Sequence, residues 1–459
     1  MSGQPSNRTV FRSDMLIGLS KTILLTALIA LPLVINGYPI FFNDSGTYLQ
    51  AFQGIASFSH PPVDRPIFYS IYLYVFRTAF HTNTAAILFQ CLVFAYLAIR
   101  FGKLARLEGL GPWLVLFLIL PFSYLAVMAC ALMPDIWMPI AVLAAYLIFH
   151  EPGPRKLIYF LAIVASVAFA PANGVIIALA VGGFFILAWI AKIRTPKRWA
   201  SLAIVAFAVL AGQGAVSCSN YFAYKTYAPI VSGSAFLYAT LSREKLAGNA
   251  LADECTIEDS HNSICMAISD YRNLAGNTLL WDPRWRHPIQ DPGNQGFLSK
   301  VNLRILKTHP ARAAEYFLKN TAITLAMYPS DLDQLYLVKY NTAHGPATWL
   351  NQYGDMARFS ASSQQTSDNV LRYLVLYRLL LAGLLIASAW KIVREKRYAE
   401  PALLGFLIWG LLFVVVNAAI TGGLSLPDYR FNVRIVDLMV LMLFCLTFGA
   451  DSRLPQHEP

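Results

Sequence analysis

The stretch KIRTPKRWASLAIVAFAVLAGQGAV, residues 192–216, decides the fold class. Four basic residues, Lys192, Arg194, Lys197 and Arg198, crowd its first seven positions, and the 18 positions that follow carry no charge. An uninterrupted apolar run of about 18 residues or more is long enough to cross the hydrocarbon core of a bilayer as a helix. Basic residues flanking such a run favour the cytoplasmic side. The stretch therefore predicts a span and also its direction, with residue 198 inside and residue 217 outside.

The rest of the 459-residue chain repeats the pattern. Only 13% of its residues are charged and 57% are hydrophobic, about half the charged share of a soluble domain. Apolar runs at 15–35, 84–100, 112–131, 136–149, 157–170, 174–191, 199–216, 372–390, 401–420 and 431–448 predict about ten transmembrane helices. The run at 66–80 is shorter and carries Tyr69, Tyr72 and Tyr74, an interfacial composition, so it reads as a helix lying along the membrane surface. With that helix left out of the count, the remaining basic clusters fall on the same side as Lys192, Arg194, Lys197 and Arg198. They are Arg8 with Arg12; Arg100 with Lys103 and Arg106; Arg155 with Lys156; and Lys391 with Arg394, Lys396 and Arg397. The expected protein is a multi-pass component of the cytoplasmic membrane with both termini in the cytoplasm. Its fold class is all-α and polytopic. A membrane module fills 1–216, an extracytoplasmic domain of mixed, mainly helical structure fills 217–370, and closing membrane helices fill 371–459. The net charge of +11 follows from orientation in the bilayer rather than from nucleic-acid binding, and no zinc pattern, Walker loop or dinucleotide fingerprint is present.

In the outer domain, residues 295–306 and 311–325 have helical periodicity, broken at His309-Pro310. Residues 360–368 are rich in Ser and Gln and read as a mobile link. Cys255 and Cys265 lie ten positions apart there, and an oxidising compartment would join them in a disulfide. Cys91, Cys130 and Cys445 fall inside spans and read as packing residues.

Three stretches on the outer face hold chemistry. Phe42-Asn43-Asp44-Ser45-Gly46-Thr47-Tyr48 places a carboxylate just beyond the first span, where it suits a general base and equally a turn capping a surface helix. Met133-Pro134-Asp135 puts a second carboxylate at the outer end of a span, where a helix N-terminus also favours it. Asp428-Tyr429-Arg430-Phe431-Asn432-Val433-Arg434 enters the last span with two arginines one turn apart, against the positive-inside bias. Phosphate would justify them, since guanidinium grips it bidentately; pairing with Asp428 or Asp437, or contact with lipid headgroups, would also do so. Arg65-Pro66, at the head of the surface helix, is a similar phosphate candidate.

In their order and sidedness these stretches resemble the GT-C superfamily of integral membrane glycosyltransferases, in the manner of bacterial lipid A aminoarabinose transferases and protein O-mannosyltransferases. The resemblance implies transfer of a sugar from a polyprenyl-phosphate donor to a lipid, glycan or protein acceptor at the outer face, among membrane lipids. It implies catalytic roles for Asp44 and Asp135, with a divalent metal ion held by them left open. Tyr48, Arg65, Tyr429, Arg430 and Arg434 are the corresponding substrate-binding candidates. Ser45 stands where the family often has a second acid, and Ile67 where it often has a second proline. A polysaccharide polymerase or ligase is the rival enzyme. A lipid or glycan flippase is the rival of another class, and would need ionisable residues buried within the spans.

Overall fold

The computed structural model describes residues 7–56, 65–107, 109–190, 198–242, 247–257, 263–266, 289–327, 346–366, 373–424 and 428–449. Among them every named element is helical, and a single parallel bridge joins Ile40 to Ala131. The first module contains α1 (Asn7–Ile29), α2 (Leu31–Asn36), α3 (Asn43–Ala56), α4 (Ile67–Phe80) and α5 (Thr84–Leu104). It continues through α6 (Leu110–Ile119), α7 (Tyr124–Ala129), α8 (Trp137–His150), α9 (Lys156–Phe169), α10 (Pro171–Ile190) and α11 (Arg198–Tyr224).

Among the described residues six helices are long and apolar enough to cross a membrane: Leu16–Asn36, Thr84–Leu104, Pro171–Ile190, Trp199–Tyr224, Pro401–Gly423 and Arg430–Phe448. The expected ten is corrected accordingly. Three of the predicted spans are shorter apolar helices, Leu110–Phe122, Pro134–His150 and Lys156–Phe169, and a fourth, expected over 372–390, is the 22-residue helix Tyr373–Arg394, whose first side chains lie outside the described residues. Pro121 explains the first, because a 3-10 turn at Leu120–Phe122 interrupts the run and Ser123 restarts it by capping α7, accepting from the Ala126 amide at 3.2 Å. The second is clothed in other helices: every residue of α8 from Trp137 to Phe149 is buried. A helix that presents no face to lipid has no thickness to match, and hydrophobicity alone does not distinguish it from a span. The helix expected along the surface is α4, 14 residues packed on α3, α5 and α9.

Basic residues gather at one end of the bundle. Glu151, at the foot of α8, pairs with Arg100 and, at 3.3 Å, with Arg155. Lys156 donates to Ser201 at 3.2 Å. A Cβ on Gly449, at the end of the last helix, would run into the Ala105 carbonyl, so that helix ends beside the same corner. There Arg397 donates to the Thr447 carbonyl at 2.7 Å. Arg8 and Arg12 have no described side chains, and Lys192, Arg194 and Lys197 lie outside the described residues.

The segment expected to be an outer domain divides in two. Its first part has a core of its own, built by α12 (Gly233–Ser242), α13 (Ala247–Ile257), α14 (Ser263–Met266), α15 (Gln295–Thr308) and α16 (Pro310–Ala326) around Tyr238, Leu251, Leu298, Val301 and Ile305. The break at His309-Pro310 falls where the sequence predicts it, and Cys255 and Cys265 are joined in a disulfide.

The second part, 346–366, belongs to the bundle. It comprises a 3-10 segment, Pro346–Tyr353, followed by α17 (Met356–Ser360) and α18 (Ser363–Thr366), and Ala347, Leu350 and Phe359 join the main core. The mobile link expected over 360–368 is therefore corrected for 360–366; residues 367 and 368 lie outside the described set. Gln364 is 2% exposed. It accepts from the Phe41 amide at 3.0 Å and donates to the Phe41 carbonyl at 2.6 Å, as a neighbouring strand would. Asp355 is buried with Arg77, Asn83 and the Tyr38 hydroxyl around it. The segment acts as a strap across the loop that carries Asp44.

The chain closes with α19 (Tyr373–Arg394), α20 (Pro401–Ala418), which widens into a π-turn over Ala419–Gly423, and α21 (Tyr429–Phe448). Gly422 and Gly423 let α16 lie against that turn, since a Cβ on either would strike Thr324 or the Phe317 ring.

Candidate functional site

Three acidic loops or turns and the head of α21 meet at the end of the bundle opposite the basic end. The first is set by the bridge at Ile40, whose amide donates to the Cys130 carbonyl and whose carbonyl accepts from the Leu132 amide, both at 2.9 Å. That pairing holds the start of α3 beside the corner that carries Asp135. Asp44 lies in the first turn of α3, where the helix dipole favours a carboxylate. Asp135 lies in the 3-10 turn Pro134–Ile136 that leads into α8. Asp428 caps α21, accepting from the Arg430 amide at 3.0 Å.

The arginines complete the cluster. Arg65, just before α4, reaches one oxygen of Asp44 at 2.6 Å, and Arg430 reaches the other at 2.9 Å. Arg430 also stands 3.5 Å from Asp428 and 4.0 Å from Asp135. One turn on, Arg434 donates to Asp135 at 3.3 Å and to the amide oxygen of Asn417 at 3.2 Å. The guanidinium of Arg430 is sandwiched by Phe42 and Phe431, 4.8 and 4.9 Å from the ring centroids. Three arginines thus face three carboxylates, and the contact between Arg430 and Asp44 joins positions 386 residues apart.

The side chains of Arg65, Asp44 and Arg430 are only 12, 16 and 13% exposed, so water screens them little. Burial pushes the Asp44 carboxyl pKa upward, but the charges of Arg65 and Arg430 outweigh it and hold Asp44 well below the usual carboxylate range. Burial raises the Tyr48 hydroxyl above its ordinary value. The Tyr48 ring lies one turn beyond Asp44, edge-on to Tyr69 at 5.0 Å.

Of the candidates read from the sequence, Asp44, Asp135, Arg65, Arg430 and Arg434 are brought into one cluster. Tyr48 packs beneath it, and the side chain of Tyr429 lies outside the described residues. Sequence reasoning missed Asn417 and Asn432. Asn417, fully buried near the end of α20, holds Arg434 and donates to the Phe431 carbonyl at 2.6 Å. Asn432 donates to the carbonyls of Leu325 and Met327, fastening the end of α16 to the arginine-bearing helix. A lone amide inside an otherwise apolar run was the available signal for Asn417.

The residues do not suit a divalent cation. Both oxygens of Asp44 are committed to Arg65 and Arg430, Asp135 faces Arg434 and the same Arg430, and among the described residues there is no group of three or more His, Cys, Asp or Glu that could hold a metal. No protein-family model matches the chain, and neither curated proteins nor solved structures give a match.

Proposed function

We propose that the chain is a membrane glycosyltransferase, moving a sugar from a polyprenyl-phosphate donor to a hydroxyl acceptor at the extracytoplasmic face of the cytoplasmic membrane. One observation carries the reading. Arg430 is buried among three carboxylates, yet among the described residues its Nε and Nη1 have no hydrogen-bond acceptor, the nearest carboxylate oxygens standing 3.5 and 4.0 Å away. A buried donor left without an acceptor costs about 1–3 kcal/mol, more when charged, and an incoming phosphate oxygen would remove that cost.

The chemistry follows from the contacts. Donor phosphate competes with Asp44 for Arg65 and Arg430. As the guanidiniums turn to phosphate, Asp44 loses the charges that suppress its basicity and becomes able to take a proton. The acceptor hydroxyl transfers its proton to Asp44 while its oxygen forms a bond to the anomeric carbon. The bond from that carbon to the phosphate oxygen breaks, and the electron pair leaves on the phosphate, held by Arg430 and Arg65. Arg434 and Asn417 keep Asp135 turned toward the same space, where it orients the acceptor. A polymerase or ligase would use the same donor chemistry.

The test is binding of a short-chain prenyl phosphate to full-length protein. Arg430→Ala and Arg430→Lys should each weaken it by about tenfold or more, because lysine lacks the planar fork. Wild-type affinity in both would remove Arg430 from phosphate recognition.

A flippase is favoured by a different observation: Arg430, Arg434 and the fully buried Asp437 follow one face of α21 inward. Lipid-linked sugar crossing vesicles of purified protein, without any transfer product, would select that reading.

A further inference from the structure

The hairpin α15–α16 carries five basic side chains, Lys300, Arg304, Lys307, Arg312 and Lys319, against one acid, Glu315. Arg304 is engaged by Glu254 at 2.9 Å and Asp253 at 3.3 Å. Lys307 and Arg312 are exposed on either side of the corner between the two helices. Next to that corner opens a cavity of 310 Å³, walled by Leu241 of α12, Leu306 of α15, Pro310, Ala313 and Phe317 of α16, and Leu424. Leu424 directly follows Pro401–Gly423, a helix long and apolar enough to cross a membrane, so the cavity lies at the level where that helix ends. Leu306 and Leu424 of its wall are exposed, as are Leu318, Ile323 and Leu325 further along α16.

We propose that this cavity takes one acyl chain of an anionic glycerophospholipid, with the lipid phosphate drawn to Lys307 and Arg312. A peptide would bring backbone amides that the apolar walls leave without partners, whereas a hydrocarbon chain needs none. The volume is at the small end of ligand pockets and suits part of one chain. The basic corner supplies the preference for negative headgroups. The hairpin then rests on the bilayer instead of standing away from it. The inference requires that the long helices cross a bilayer, and is independent of glycosyl transfer.

The experiment uses full-length protein in nanodiscs of mixed phosphatidylcholine and phosphatidylglycerol, with a diazirine in the acyl chain of one lipid or the other. Photolabelled sites are mapped by mass spectrometry. The phosphatidylglycerol probe should label 237–241 and 306–317. Ala313→Trp, which fills the cavity, should abolish that label, as should Leu306→Asp, which charges the wall at an exposed position that folding tolerates. Lys307→Glu combined with Arg312→Glu should lower it at least about fivefold, with labelling of 171–190 unchanged. Label confined to the long helices, or cavity label that survives both wall variants, overturns the site. Equal cavity labelling by the two lipid probes overturns the headgroup preference. Absence of label on 171–190 would instead show that the long helices do not face lipid.

Discussion

Asp44 sits between two guanidiniums, and a carboxylate so held is a weak base until one of them leaves. In the proposed mechanism the aspartate and the donor phosphate compete for the same arginines, which separates its two effects on kinetics. Asp44→Asn should bind the prenyl phosphate at least as tightly as wild type, while turnover falls by roughly 10²-fold or more. Loss of both together would mean that the residue only supports the fold. The same ion pairs set a pH dependence. Because the folded-state pKa of Asp44 is depressed, its contribution to stability is complete above the unfolded value of about 3.9 and is lost as pH falls through the folded value. Thermal melts in detergent should drop more steeply below about pH 4 for wild type than for Asp44→Asn. These acids and arginines could be picked out from sequence because each breaks a local expectation: a charge at a membrane edge, or a basic pair on the side that positive-inside bias disfavours. The local approach of Arg430 to Asp428 was legible too, but its pairing with Asp44 was not, since the two meet across 386 positions.

At the level of elements, the strap of 346–366 shows where local reading fails. Ser, Gln and Asp read as a linker when seen alone, because their polar groups have no partner nearby in sequence. Here the partners are Phe41, 323 positions from Gln364, and Arg77, 278 positions from Asp355. Removing one member of a buried charge pair typically costs about 3–5 kcal/mol, since the other is left buried and uncompensated. Asp355→Ala should therefore release the strap, seen as faster proteolytic cleavage between residues 346 and 366 and faster amide exchange at 38–41. Unchanged cleavage would mean that the apolar contacts of Ala347, Leu350 and Phe359 suffice to hold it. Helices α15 and α16, by contrast, were legible almost to the residue, because their apolar stripes and the proline between them are local signals. The buried α8 was over-read as a span for the converse reason: hydrophobicity reports burial and does not say whether lipid or protein does the burying.

Across the whole molecule, the basic end and the end that carries the acid–arginine cluster predict an orientation. Reporter fusions at Arg106 and Lys396 should read cytoplasmic, and one at Lys307 extracytoplasmic; a cytoplasmic signal at Lys307 would invert the molecule and take the lipid-linked chemistry with it. The disulfide between Cys255 and Cys265 points the same way, because such bonds persist in oxidising compartments. The distance in sequence between the two halves of the site also has a consequence for biosynthesis. Asp44 and Arg65 are made early and can pair as soon as both emerge, but Arg430 arrives 386 residues after Asp44. At roughly 5–20 residues per second, the nascent chain carries a half-built cluster for about 20–80 s. Until α21 is made, Asp135 waits without the arginines that will neutralise it. An interrupted translation product would keep that uncompensated acid permanently, a mark by which a membrane protease could tell an unfinished copy from a completed one.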